Sequence, residues 1–237
     1  KSYHRIEPDV KNNLLEYVLD NITSLKYVYL AGGEPLLMKE NKQLIAAIAE
    51  KNPNCRILVN SNISEIDGNE IYENLIKLDR CEWLVSVDAT EQTYEYMRWP
   101  ANWNTFHTNL LKIKSQVGPA KIGFNMVVTS INGVSIWDAV DLLLDSGFKE
   151  DRISLLLYNN GAFDGPWDIR YMPVAYQKQI LNRMDKSKYK NLPGWQNVFD
   201  YISQLVYNKS DWPWKMLDQL DKSRNLNSQT IFPELYI

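Results

Sequence analysis

Residues 27–35 read Tyr27-Val28-Tyr29-Leu30-Ala31-Gly32-Gly33-Glu34-Pro35, an apolar run closed by two glycines, a carboxylate and a proline. The β-branched, aromatic and aliphatic residues from Tyr27 to Leu30 predict a short buried strand. Gly32 and Gly33 carry no Cβ, so the backbone can turn sharply at the strand exit and lie close against a ligand. Glu34 is thereby held at the strand end, and Pro35, with no N–H to donate, stops the pairing. A Gly-Gly pair is also an ordinary turn, so the meaning of this stretch depends on what flanks it.

Strand-like and helix-like segments alternate on both sides. Residues 9–22 place Val10, Leu14, Leu15, Val18, Leu19 and Ile22 at helical spacing. Downstream, helices expected at 37–51, 69–78, 90–97, 103–116 and 134–146 separate strands at 56–59, 83–87, 121–129 and 153–158. Gly147, after the aliphatic run Leu142-Leu143-Leu144, reads as a helix terminator. Strand, helix, strand in this order predicts an α/β fold of parallel strands joined by crossovers. Five strands make a partial (β/α) TIM-like barrel, not a closed eight-stranded one. Beyond Asn160 the strand signal fades and 173–225 reads as helical. The expected division is a partial barrel over 1–160 and a helical extension over 161–237. Trp195, Phe199, Ile202, Leu205 and Val206 form an amphipathic stripe expected to pack in a core.

Composition narrows the function classes. The chain has 237 residues, 45% hydrophobic and 23% charged, with a formal net charge of −3. That balance provides no basic field to recruit nucleic acid or an anionic membrane. No apolar run approaches the roughly 20 residues of a membrane helix. Only Cys55, Cys81, His4 and His107 represent their residue types, with no C-x-x-C spacing. A disulfide framework and a zinc site are therefore not expected, and a reducing, cytoplasmic setting is.

Ligands of parallel α/β sheets bind beyond the carboxyl ends of the strands. The polar residues gather there: Gly32-Gly33-Glu34, Asn60-Ser61-Asn62, Ser86-Val87-Asp88, Asn125 to Thr129, and Tyr158-Asn159-Asn160. Arg98 lies ten residues past Asp88, after a short helix that could return it to the same rim. Cys55 and Cys81 precede their strands, so they belong at the opposite end and read as small buried residues. For Arg98 the ordinary alternative is an ion pair with Glu91 or Glu95. For Ser86 and Asp88 it is capping of the helix at 90–97.

In combination these motifs resemble the radical S-adenosylmethionine (radical SAM) enzymes, in the branch with a SPASM or twitch-type extension. The resemblance rests on Gly32-Gly33-Glu34-Pro35, Asn60-Ser61-Asn62 and Ser86-Val87-Asp88, each after a strand, with Glu91, Tyr94 and Arg98 following. The ending Leu217-Asp218-Gln219-Leu220-Asp221-Lys222-Ser223-Arg224 and Phe232-Pro233-Glu234-Leu235 is similar to the tail of twitch-type members. It implies S-adenosylmethionine as cofactor, with Gly33 and Glu34 meeting its amino group through backbone carbonyl and carboxylate, Gly32 and Pro35 beside them in the cofactor-binding turn, and Arg98 on its carboxylate. Ser86 and Asp88 would meet the ribose or carboxylate, and Asn62, Asn125 and Tyr158 would flank the adenosine. It further implies a [4Fe-4S] cluster, reductive cleavage to a 5′-deoxyadenosyl radical, and a peptide as a substrate class.

One element of that family is missing. Its cluster ligands, C-x-x-x-C-x-x-C, precede the Gly-Gly-Glu-Pro motif, and the 31 residues before Gly32 contain no cysteine. Three thiolates are needed to hold the cluster with one iron open. The expectation is that a natural amino-terminal segment precedes Lys1; the alternative is a cluster-less, non-catalytic cofactor-binding or scaffold protein. No cysteine follows Cys81, so no auxiliary cluster is expected. A different α/β-barrel enzyme using Glu34, Asp88 and Asp164 as acid and base is the remaining reading, and it lacks a partner histidine or lysine at the rim.

Overall fold

The computed structural model describes residues 8–158 and 165–236; the expectations for Asn159, Asn160 and Asp164 lie outside them. Strands β1 (Tyr27–Leu30), β2 (Arg56–Ser61), β3 (Cys81–Ser86), β4 (Ile122–Val128) and β5 (Ile153–Leu157) form one sheet in the order β1-β2-β3-β4-β5. β1 pairs in parallel with β2, Tyr29 opposite Leu58, and β4 in parallel with β5, Asn125 opposite Ser154. The fold is the expected one, α/β with five parallel strands and a partial-barrel strand order.

Helices α1 (Pro8–Asp20), α2 (Lys39–Lys51), α3 (Glu70–Leu75), α4 (Glu91–Met97), α5 (Trp103–Val117) and α6 (Ile136–Asp145) alternate with the strands. Helices α7 (Val174–Met184), α8 (Trp195–Ser203), α9 (Trp212–Arg224) and α10 (Ser228–Ile231) follow. The period-2 pleat sorts each strand's side chains. On β3, Cys81, Trp83 and Val85 are buried; on β4, Ile122, Phe124, Met126 and Val128 are. The intervening Leu84, Ser86, Asn125 and Val127 are half-buried. Helix α6 ends as its glycine predicts: Gly147, at φ 80°, donates to Leu144 O and Phe148 N to Leu143 O, closing the last turn.

Two expectations fail. β1 is the outermost strand of the sheet order, and Tyr27 and Tyr29 are about half exposed, not buried. An edge strand has a neighbour on one side only, so its larger side chains keep contact with water. Val206 is 83% exposed, because α8 stops at Ser203 and its stripe with it; Trp195, Val198 and Ile202 do the packing.

Contacts cluster the chain into two units, Lys1–Leu84 with Asn109–Lys121, and Val85–Thr108 with Ile122–Ile237. In the second unit the outer side of β5 is not left open. Leu155 N donates to Pro193 O at 2.8 Å, and Gly194, at φ 83°, passes so close that a Cβ there would lie 2.0 Å from Leu155 O. No side chain fits, and no L-residue adopts that φ without cost. Replacing Gly194 with Ala is expected to destabilise the protein by roughly 2–4 kcal/mol, the sum of left-handed strain and overpacking. Urea unfolding measures it; a loss under half a kcal/mol would refute the contact.

Candidate functional site

In the first unit, the candidate residues meet around Glu34. Gly32 and Gly33 take φ values of 88° and 55°, which turns the chain out of β1. The Glu34 carboxylate then accepts three hydrogen bonds: Ser61 Oγ at 2.5 Å, Asn62 N at 2.8 Å and Leu36 N at 3.3 Å. A carboxylate offers about four acceptor sites, so a cationic group can still be taken. Pro35 is buried, and its carbonyl accepts from Asn41 Nδ2 at 2.9 Å.

The turn after β2 is strained. Ile63 is fully buried with φ 49°, a left-handed conformation that a β-branched residue rarely adopts. Its N–H donates to Ser61 Oγ at 2.9 Å and its carbonyl accepts from Asn109 Nδ2 at 2.7 Å. The Asn62 side chain closes its own turn by accepting from Ser64 N at 2.9 Å. Asn109, which sequence reasoning did not single out, thus holds the loop that presents Ser61 and Asn62 to Glu34. It sits on α5, far along the chain, and nothing local marks it.

In the second unit the centre is Asp88. Its Oδ1 accepts from Val127 N at 2.7 Å, and its Oδ2 forms an ion pair with Arg98 Nη2. Helix α4 brings Arg98 back toward the end of β3, as expected from the spacing. Arg98 pairs with neither Glu91 nor Glu95; the Glu95 carboxylate is engaged by Asn102 Nδ2 and Trp103 N. Asp88 does not cap α4, whose N-cap is Thr90. The Arg98 Nε is buried and has no hydrogen-bond partner among the described residues. A buried donor left unpaired costs about 1–3 kcal/mol, so an acceptor reaching it would be favoured.

Asn132, fully buried and also missed from sequence, ties these loops. Its Nδ2 donates to Asp88 O and Val127 O, both at 2.9 Å, and its Oδ1 accepts from Thr129 N at 2.7 Å and Thr129 Oγ1 at 2.8 Å. Ser86 and Asn125 lie on β3 and β4 at half-buried positions, and the Asn125 carbonyl accepts from Val87 N at 3.2 Å. Tyr158, just past β5 and about one-third exposed, has its hydroxyl over Gly165, where a Cβ would lie 2.6 Å from it.

Cys55 and Cys81 are free and buried, at the start of β2 and β3 and so at the strand ends opposite Glu34. Among the described residues no group of three or more His, Cys, Asp or Glu side chains could hold a metal ion. No helix among them is long and apolar enough to cross a membrane.

Compared with protein-family models and with curated protein sequences, the chain matches none. Solved structures do match. anSMEcpe with bound AdoMet is 16% identical with a TM-score of 0.52, over 78% of this chain and 52% of that one. Its complex with AdoMet and the Cp18Cys peptide is 14% identical with a TM-score of 0.50. SuiB of Streptococcus suis bound to S-adenosylmethionine is 18% identical with a TM-score of 0.51, over 89% of this chain and 44% of that one. The likeness is one of fold. The chain spans about half the length of the structures it matches.

Burial pushes the Cys81 thiol up to about 12, with Lys121 opposing the shift, and raises Cys55 as well. At pH 8 a thiol of that acidity is ionised to roughly one part in ten thousand, which makes it a poor nucleophile. Titration with a disulfide reagent is expected to find no fast-reacting thiol in the native protein and two after denaturation. A native thiol that reacts as fast as free cysteine would refute this placement.

Proposed function

We propose that this chain is a radical SAM enzyme chain that binds S-adenosylmethionine through the polar stations at its strand ends. The observation that carries the reading is Arg98: a guanidinium oriented by the Asp88 carboxylate, with a buried Nε that no described residue satisfies. Such a planar fork is suited to a carboxylate, the one anionic group of this cofactor. Glu34 and the Gly33 carbonyl supply acceptors suited to an α-amino group. Asn62, Ser86, Asn125 and Tyr158 supply polar groups suited to ribose and adenine, and Gly32 and Pro35 shape the turn. The matched structures carry bound AdoMet, which supports the same reading, and a bound peptide in one of them supports a peptide substrate. We assign the cofactor to the partial barrel of 1–160, with 161–237 as its twitch-like extension.

A [4Fe-4S] cluster does not fit the residues of this chain. It has two cysteines, both buried, each at the amino end of its strand. Three thiolates must come from elsewhere before electrons can reach the cofactor. The chain's own residues therefore bind and orient S-adenosylmethionine, and reductive cleavage waits on ligands it does not contain.

Calorimetry is expected to show S-adenosylmethionine binding to the 237-residue chain, and Arg98→Ala to weaken it by about 1.5–3 kcal/mol, roughly ten- to a hundredfold. No 5′-deoxyadenosine should be released under reducing conditions. Absence of binding, or an Arg98→Ala variant with unchanged affinity, would defeat the assignment.

A further inference from the structure

A cleft of about 770 Å³ lies wholly within the second unit and involves none of the residues assigned above. One wall is α4 and the turn after it, with Gln92, Glu95, Trp99 and Asn102; the other is the α9–α10 turn, with Asn225 and Asn227. The walls are bolted together. Tyr96 Oη donates to Asp221 Oδ1 at 2.8 Å, and Asp221 Oδ2 accepts from both N and Oγ of Ser228, at 2.9 and 2.7 Å. Arg224 Nη1 donates to Tyr96 O at 2.7 Å, and Phe232 meets the Tyr96 ring edge-on at 5.0 Å. The cleft is therefore formed before any ligand arrives, so little ordering cost falls on binding.

Its chemistry is specific. Trp99 is 53% exposed, yet its ring is held by the Arg224 guanidinium at 5.7 Å from the ring centroid. A large aromatic kept at a cleft mouth in this way is the residue type that dominates binding energy. The side-chain amides of Gln92 on one wall and Asn225 on the other make no hydrogen bond within the described residues. Each carboxamide offers a donor and an acceptor, the pair that an extended peptide backbone presents at every residue. Glu95 is the only charged group among the described lining residues, and the nearby Arg224 guanidinium is already engaged by Tyr96 O and the Trp99 ring, which favours an uncharged or basic partner over an anionic one.

From this we infer that the cleft between α4 and the α9–α10 turn is a docking site for an extended, uncharged or basic polypeptide segment. Carboxamides from both walls bond its backbone, and one of its side chains packs on Trp99. The inference deepens the peptide-substrate reading and rests on it only for calling the polypeptide a substrate. The site needs neither cofactor nor cluster.

A random-peptide phage library selected on the immobilised 237-residue protein tests it, with the enriched peptides then synthesised and titrated calorimetrically. Peptides poor in Asp and Glu are expected, with Trp99→Ala weakening them at least about tenfold and Gln92→Ala several-fold. Both residues are solvent-exposed, and a thermal melt confirms that each variant folds. No enrichment, peptides that bind both variants like the parent, or selection of acidic sequences would overturn the inference. S-adenosylmethionine affinity is measured alongside. Gln92→Ala should leave it unchanged, so failure of the cleft and failure of the cofactor reading are told apart.

Discussion

A parallel strand that ends leaves backbone N–H and C=O groups without ladder partners, and burying them unpaired is costly. In this protein polar side chains at the strand ends take those groups, and the candidate site is made of the same side chains. Asp88 accepts from Val127 N, Asn132 donates to Asp88 O and Val127 O, and Glu34 accepts from Leu36 N and Asn62 N. Asn109 does the same for the carbonyl of the strained Ile63. The loops that a ligand would meet are therefore fixed from beneath by buried hydrogen bonds.

This arrangement dissolves a choice posed by sequence between structural and functional roles. Asp88 is structural through Oδ1, which satisfies a backbone donor, and positional through Oδ2, which orients Arg98. Glu34 is likewise anchored by three donors while keeping acceptor capacity. Pre-organised groups of this kind lose little entropy on meeting a charged ligand, which is why rigid placement matters more than residue type at such positions. The left-handed Ile63 fits the same logic: local strain persists only where surrounding contacts over-determine it, here Ser61, Asn109 and complete burial.

Much of the fold was legible because it depends on local periodicity. The apolar runs at Tyr27–Leu30, Arg56–Val59, Trp83–Val87 and Ile153–Leu157 announce strands, and the intervening 3.6-residue patterns announce helices, so parallel order follows. Within the site, Glu34, Asp88 and Arg98 were legible as types and spacings. Their partners were not. The ordinary alternative for Arg98, an ion pair with Glu91 or Glu95 on the same helix, is not what forms: the fold gives Arg98 Asp88 and gives Glu95 to the start of α5. Tyr27 and Tyr29 are half exposed because composition marks a strand, whereas exposure depends on its place in the sheet order.

By itself the sequence determined the element order, the polar character of the strand ends, and the placement of both cysteines at the opposite ends, since each follows from residue type and two short-range periods. The tertiary structure alone decided which polar groups meet. Asn109 with Ile63, Asn132 with Asp88, Gly194 against Leu155, and the cleft bounded by Trp99 and Asn225 join residues tens to more than a hundred positions apart. Such contacts leave no periodic trace, because a single hydrogen bond or a single missing Cβ constrains one position and not a pattern.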